Sequence, residues 1–193
     1  MNLPTKLTLS RIAAIPVIVV LFYVVFPFHY LAAGLLFVAA ALTDMIDGRI
    51  ARKRCQVTDL GKLLDPIADK VLACTVLIME AANGDAMMFF NPPVGVLLTA
   101  VIVGREVLIG AFRTIAASKG MILAADKFGK VKTALLNTAI PLMMISEFHV
   151  AVKITGNVVF AAAFVFAVIS GVNYMVKNRK VLCDKPSEDQ KDA

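Results

Sequence analysis

Four aspartates, Asp44, Asp47, Asp65 and Asp69, fall within 26 residues, and their spacing sorts them onto two helix faces. Asp44, Asp47, Gly48 and Ala51 recur at i, i+3, i+4 and i+7, while Gly61, Asp65 and Asp69 recur at i, i+4 and i+8. The surrounding segments are apolar, and a carboxylate isolated there is costly until a cation neutralises it. Two acidic faces edged by glycine suit a hard divalent cation, Mg²⁺ or Mn²⁺, particularly when phosphate oxygens of a substrate complete its coordination. The bland alternative makes each acid a helix-end charge paired with Arg49, Arg52, Lys53, Lys62 or Lys70. That explains any one aspartate but not the array.

The full pattern, D-x2-D-G-x2-A-R-x8-G-x3-D-x3-D, resembles the signature of the CDP-alcohol phosphatidyltransferases at all eight of its fixed positions. The resemblance implies transfer of a phosphatidyl group from a CDP-linked lipid to an alcohol, with release of CMP. It implies that Asp44, Asp47, Asp65 and Asp69 bind the metal, that Asp69 is also the catalytic residue beside the attacking hydroxyl, and that Thr8, Gly48, Arg52 and Gly61 contact the CDP moiety. Glycines let a nucleotide approach the backbone, although close helix packing asks for the same residue. An ordinary aspartate has a pKa of about 3.9 and is a weak base towards an alcohol, so metal polarisation and substrate positioning must supply much of the catalysis.

Three looser motifs narrow the branch. Asn2-Leu3-Pro4-Thr5-x2-Thr8-x2-Arg11, Gly104-Arg105-Glu106 with Arg113, and Gly129-Lys130-Val131-Lys132-Thr133 resemble bacterial members that join CDP-diacylglycerol to sn-glycerol 3-phosphate, and carry the resemblance over most of residues 1–175. Thr5 departs from it, since many members have Asn there. The phosphate dianion of such an acceptor needs fixed cations, and Arg105, Arg113, Lys130 and Lys132 are well typed for acceptor-phosphate binding. Loop lysines are expected on topological grounds alone. Arginines inside an apolar span are costly, which favours a function for Arg105 and Arg113, and Glu106 offers Arg105 an internal partner.

These residues must be positioned by a chain that is 59% hydrophobic, without Trp, and with a mean hydropathy of +0.80, which excludes an ordinary soluble domain. The pattern predicts an all-α integral membrane domain over 1–176. It comprises a short interfacial segment over 1–11 and six transmembrane helices at about 11–27, 31–48, 64–82, 93–117, 131–147 and 154–176, followed by a polar cytoplasmic tail over 177–193. The uncharged run from Ile12 to Thr43 would make a helix about 48 Å long against roughly 30 Å of hydrocarbon. It must therefore fold back, at Phe26-Pro27-Phe28-His29-Tyr30. Asp65-Pro66 reads as the cap and first turn of the third span. His29 and His149 fall in turns and read as interfacial side chains; Cys55, Cys74 and Cys183 form no spacing motif and read as reduced thiols.

Sixteen Lys and Arg fall at the N-terminus, in 49–62, in 118–132 and in the tail, against Lys153 alone in the opposite loops. The positive-inside rule then places both termini and the acidic array at the cytoplasmic face, and the resemblance to bacterial members implies that the membrane is a bacterial plasma membrane. The net charge of +6 fits loops facing an anionic membrane surface rather than nucleic acid. Ala39-Ala40-Ala41 and Ala161-Ala162-Ala163 permit close helix contact, within one bundle or in a homodimer. Two other functions fit less well. A sibling enzyme using inositol phosphate, serine or phosphatidylglycerol remains open, although a neutral acceptor leaves the basic cluster without a purpose. A divalent-cation transporter would place ionisable groups near the midplane and along an exit route, whereas these acids cluster near one end of their spans.

Overall fold

The computed structural model describes residues 3–54, 59–83, 92–118, 121 and 127–179, with side chains described for all of these except 3–7, 44–54, 59–66, 92 and 147. Six α-helices make up the described fold: α1 (Leu3–Tyr23), α2 (His29–Arg54), α3 (Asp59–Ala82), α4 (Pro92–Ser118), α5 (Lys127–Met144) and α6 (Val150–Lys177). No strand occurs among the described residues.

The helices outrun the apolar stretches that announce them. α1 is continuous from Leu3, so the interfacial segment and the first predicted span are one helix. Pro4 sits in its first turn, where a missing N–H breaks no intrahelical bond, and Pro16 is absorbed further along. α3 begins at Asp59, so Asp65 does not cap it. The Asp-Pro signal lies a turn and a half inside a helix that had already started. α5 begins at Lys127 rather than near residue 131, because charged residues can continue a helix beyond its apolar part.

The first fold-back is where the apolar run requires it. α1 ends at Tyr23, α2 starts at His29, and Phe28 between them has a φ of 67°, a left-handed conformation that strains a bulky side chain. The Phe28 ring stacks on Phe148, with centroids 5.7 Å apart and planes within 4°. This ties the α1–α2 turn to the 3-10 turn Ser146–Phe148 that joins α5 to α6. His149 caps α6, its Nδ1 accepting from the backbone N–H of Ala151 at 3.1 Å.

Side chains are sorted as in a protein solvated by hydrocarbon. Ala33, Ala68, Ala116, Ala139, Ala163 and Ala167 are buried between helices, while Val20, Leu35, Val107, Leu108, Val158 and Val172 face outward. Ala40 and Ala163, from the two alanine runs, belong to the bundle's own core. α4 from Pro93 and α6 are long and apolar enough to cross a membrane; the apolar parts of α1 and α2, Thr8–Tyr23 and His29–Thr43, are shorter. The packing of α3 on α4, α4 on α6, α6 on α5 and α5 on α3 closes a ring of four helices. α1 and α2 pack outside it, α2 reaching α5.

Candidate active site

The ring lines a partly open cavity of about 630 Å³. α3 lines it with Asp69, Lys70, Ala73, Cys74 and Leu77; α4 with Ile102, Arg105, Glu106, Ile109 and Arg113; α5 with Gly129, Lys130, Lys132, Thr133 and Asn137; and α6 with Ser170 and Tyr174. The α4 contribution follows from periodicity: positions 102, 105, 106, 109 and 113 form one helical stripe. Charges otherwise costly in an apolar span thus line one shared cavity.

Within it, one carboxylate oxygen organises two cations. Glu106 Oε1 accepts from Arg105 Nη1 at 2.7 Å and from Lys132 Nζ at 2.5 Å. Lys132 is 4% exposed, and an unpaired ammonium at that depth would be heavily penalised, so the ion pair is a condition of its burial. Arg105 Nη2 donates to Ser170 Oγ at 2.6 Å, and Arg113 Nε donates to the Tyr174 hydroxyl at 3.1 Å. Arg113 also lies over the Tyr174 ring, 5.2 Å from its centroid. Lys70 closes another part of the wall: a Cβ on Gly110 would stand 3.1 Å from Lys70 Nζ, so glycine there leaves the ammonium its place.

The cavity lining thus carries Lys70, Arg105, Arg113, Lys130 and Lys132 against Asp69 and Glu106. A surplus of fixed cations in a low-dielectric enclosure favours a multiply charged anion, and guanidinium groups offer the forked geometry that phosphate accepts.

The four cations expected to bind an acceptor phosphate, Arg105, Arg113, Lys130 and Lys132, therefore stand around one space together with Asp69. Lys130 is exposed at its edge, whereas Lys132 is buried within. Thr8 is buried on α1 and is not part of the cavity wall. Asp44, Asp47, Gly48, Arg52, Gly61 and Asp65 belong to the helical backbone of α2 and α3, with side chains outside the described residues. Cys74 is a free thiol on the cavity wall; Cys55 and Cys183 lie outside the described residues.

Backbone register relates the array to the cavity. Leu77, Ala73 and Asp69 line it at steps of four along α3, and the next two steps of that row are positions 65 and 61. On α2, Ala41 lines the cavity, and positions 44 and 48 continue its face. A donor set of carboxylate oxygens on two adjoining helices has the chemistry that a hard divalent cation takes.

Ser170 and Tyr174 escaped sequence reasoning, as did Lys70 and Asn137. The available signal was faint: a serine and a tyrosine four residues apart in the long uncharged stretch of α6 between Lys153 and Lys177.

Residues 1–170 match the family model described as CDP-alcohol phosphatidyltransferase. A protein of Rickettsia bellii is 35% identical over 182 residues, covering 93% of this chain and 96% of its own. One from Bacillus subtilis is 33% identical over 195 residues, with 94% and 97% covered, and one from Salmonella choleraesuis is 33% identical over 186 residues, with 95% and 98% covered. All three are named CDP-diacylglycerol–glycerol-3-phosphate 3-phosphatidyltransferase.

Proposed function

The chain belongs to the CDP-alcohol phosphatidyltransferase family, and on that premise we propose that it acts as a phosphatidylglycerophosphate synthase. It transfers the phosphatidyl group of CDP-diacylglycerol to sn-glycerol 3-phosphate, giving phosphatidylglycerophosphate and CMP. The observation that carries this reading is the single cavity in which Asp69, at the end of the acidic array, meets Arg105, Arg113 and Lys132. A site for lipid transfer to a neutral alcohol has no use for that cationic wall.

The chemistry follows from the two halves of the site. A hydroxyl oxygen of the acceptor bonds to the phosphorus that carries the diacylglycerol, the bond from that phosphorus to the CMP oxygen breaks, and CMP departs with the electron pair. The hydroxyl proton passes to a carboxylate oxygen of Asp69. Arg105, Arg113, Lys130 and Lys132 hold the acceptor's own phosphate, which turns a bimolecular encounter into an oriented one. Gly48, Gly61, Arg52 and Thr8 are assigned to the CDP moiety on the family pattern. Asp44, Asp47, Asp65 and Asp69 would hold Mg²⁺ or Mn²⁺, which supplies charge neutralisation at the pyrophosphate when bound. The hydrocarbon-facing surface serves the substrate as well as the fold, since the donor's acyl chains stay in the bilayer while its pyrophosphate reaches the polar end. With six helices crossing a bacterial membrane, the charge asymmetry supports placing both termini and the site on the cytoplasmic side.

The test is a product assay in detergent micelles with CDP-diacylglycerol, Mg²⁺ or Mn²⁺, and a panel of glycerol 3-phosphate, glycerol, inositol phosphate, serine and phosphatidylglycerol. Phosphatidylglycerophosphate and CMP should form in equal amounts from glycerol 3-phosphate, with the other acceptors far poorer. Preferred use of serine or phosphatidylglycerol would move the protein to a sibling activity.

A further inference from the structure

Two buried side chains on α6 belong to none of the roles above. Ser170 is 0% exposed and Tyr174 3%, and each directs its hydroxyl to one arginine of α4. We propose that Ser170 and Tyr174 are positioning residues that draw Arg105 and Arg113 together onto a single phosphate group. The proposal rests on the assignment of the cavity to the acceptor's phosphate.

Arg105 and Arg113 are eight residues apart, about 12 Å along α4, whereas Ser170 and Tyr174 are four apart, about 6 Å along α6. Anchored on the closer pair, the guanidinium groups converge from the spacing of their own helix. A separation of that order lets the Arg113 fork and the remaining Nη hydrogens of Arg105 approach one tetrahedral anion from different sides.

The surroundings are shaped for this. A Cβ on Gly171 would press to 3.2 Å from Arg105 Cγ, and one on Gly129 would come to 3.4 Å from Ser170 Oγ and 3.9 Å from Arg105 Nη2. The Arg105 side chain thus passes through a gap kept open by glycines of α5 and α6. Tyr174 holds Arg113 twice, through its hydroxyl on Nε and its ring under the guanidinium. Because the hydroxyl takes Nε, both Nη groups of Arg113 make no hydrogen bond to any described residue and remain for a ligand.

The competing account is that Ser170 and Tyr174 merely satisfy polar groups between helices. A double-mutant cycle separates the two, using the full-length protein in micelles with CDP-diacylglycerol and glycerol 3-phosphate. Tyr174→Phe and Ser170→Ala should each raise the KM for glycerol 3-phosphate by about three- to thirtyfold, less than loss of the arginine itself because the guanidinium stays in the cavity, and leave the KM for CDP-diacylglycerol and the unfolding midpoint close to the parent's. Ser170→Thr, which keeps the hydroxyl, should restore most of the loss. In an Arg113→Ala background, Tyr174→Phe should have no further effect, because the tyrosine acts only through that arginine. Full additivity in that background, or unchanged acceptor kinetics in Tyr174→Phe and Ser170→Ala while Arg113→Ala is impaired, overturns the proposal and leaves the acceptor site standing. Unchanged acceptor kinetics in Arg113→Ala itself overturns the acceptor-site assignment instead. Should Tyr174→Phe fail to fold, the contrast between Ser170→Ala and Ser170→Thr decides alone.

Discussion

Glu106 sets the resting state of the cationic wall. Its one oxygen bridges Arg105 and Lys132, so an incoming phosphate meets two cations already partly neutralised, together with Arg113. Glu106→Gln removes the charge but keeps the shape, leaving a buried ammonium and a guanidinium without a counterion. We expect a loss of about 3–5 kcal/mol in stability, the usual consequence of breaking a buried pair from one side. Glycerol 3-phosphate should then raise the unfolding midpoint of Glu106→Gln more than that of the parent, because the dianion replaces the missing carboxylate. Equal shifts would show that the ligand does not reach this pair. Asp69→Asn is predicted to lower turnover by roughly a hundredfold or more while binding of glycerol 3-phosphate, followed calorimetrically, persists. At this scale the sequence singled out Asp69, Arg105, Glu106 and Arg113 as charges in apolar segments, whereas Lys70 read only as a helix-end partner of the acids. Ser170 and Tyr174 were not readable, since uncharged polar residues are ordinary in membrane helices and only their partners on α4 reveal what they hold.

The helices make that geometry possible by packing closely where they must. α6 approaches α5 at Gly156, where a Cβ would stand 3.2 Å from Leu142 Cβ, Met143 Cγ and the Met143 backbone nitrogen. A backbone atom cannot step aside as a side chain does, so Gly156→Ala should cost about 1–3 kcal/mol by pushing the two helices apart. Gly104→Ala, with nothing within 4 Å of the added carbon, should be neutral or stabilising by up to about 1 kcal/mol, through helix propensity alone. Thermal unfolding in detergent compares the two; similar losses in both would refute the close-approach explanation. Most helices and the turn around Phe26–Tyr30 were legible from apolar run lengths, because chain length against bilayer thickness leaves few solutions, but α3, with only nine uncharged residues between Lys70 and Glu80, was not. Boundaries were not. A hydropathy argument ends a span where charges begin, but the backbone of α2 runs on to Arg54, α3 back to Asp59 and α5 back to Lys127. Those extensions carry Arg52 and Gly61 of the signature and Gly129-Lys130 at the start of the basic motif.

At the scale of the whole molecule, outward-facing aliphatics and a cavity carrying fixed cations among its helices suit an enzyme that meets a lipid and a water-soluble anion at one place. The charge asymmetry predicts that cysteines introduced near Lys53 and Lys127 react with a membrane-impermeant thiol reagent from the cytoplasmic side, and those near Asp85 and Lys153 only from the outside. The reverse labelling would put the site on the wrong face for a cytosolic acceptor. The central claim is that the cationic wall beside Asp69 binds the phosphate of the acceptor. Its most direct test is the steady-state kinetics of Arg105→Ala with each substrate varied in turn. The account predicts that catalytic efficiency for glycerol 3-phosphate falls about ten- to hundredfold, from losing a charge-assisted contact, while the KM for CDP-diacylglycerol stays near the parent value. A loss confined to the donor, with the glycerol 3-phosphate dependence intact, would contradict it.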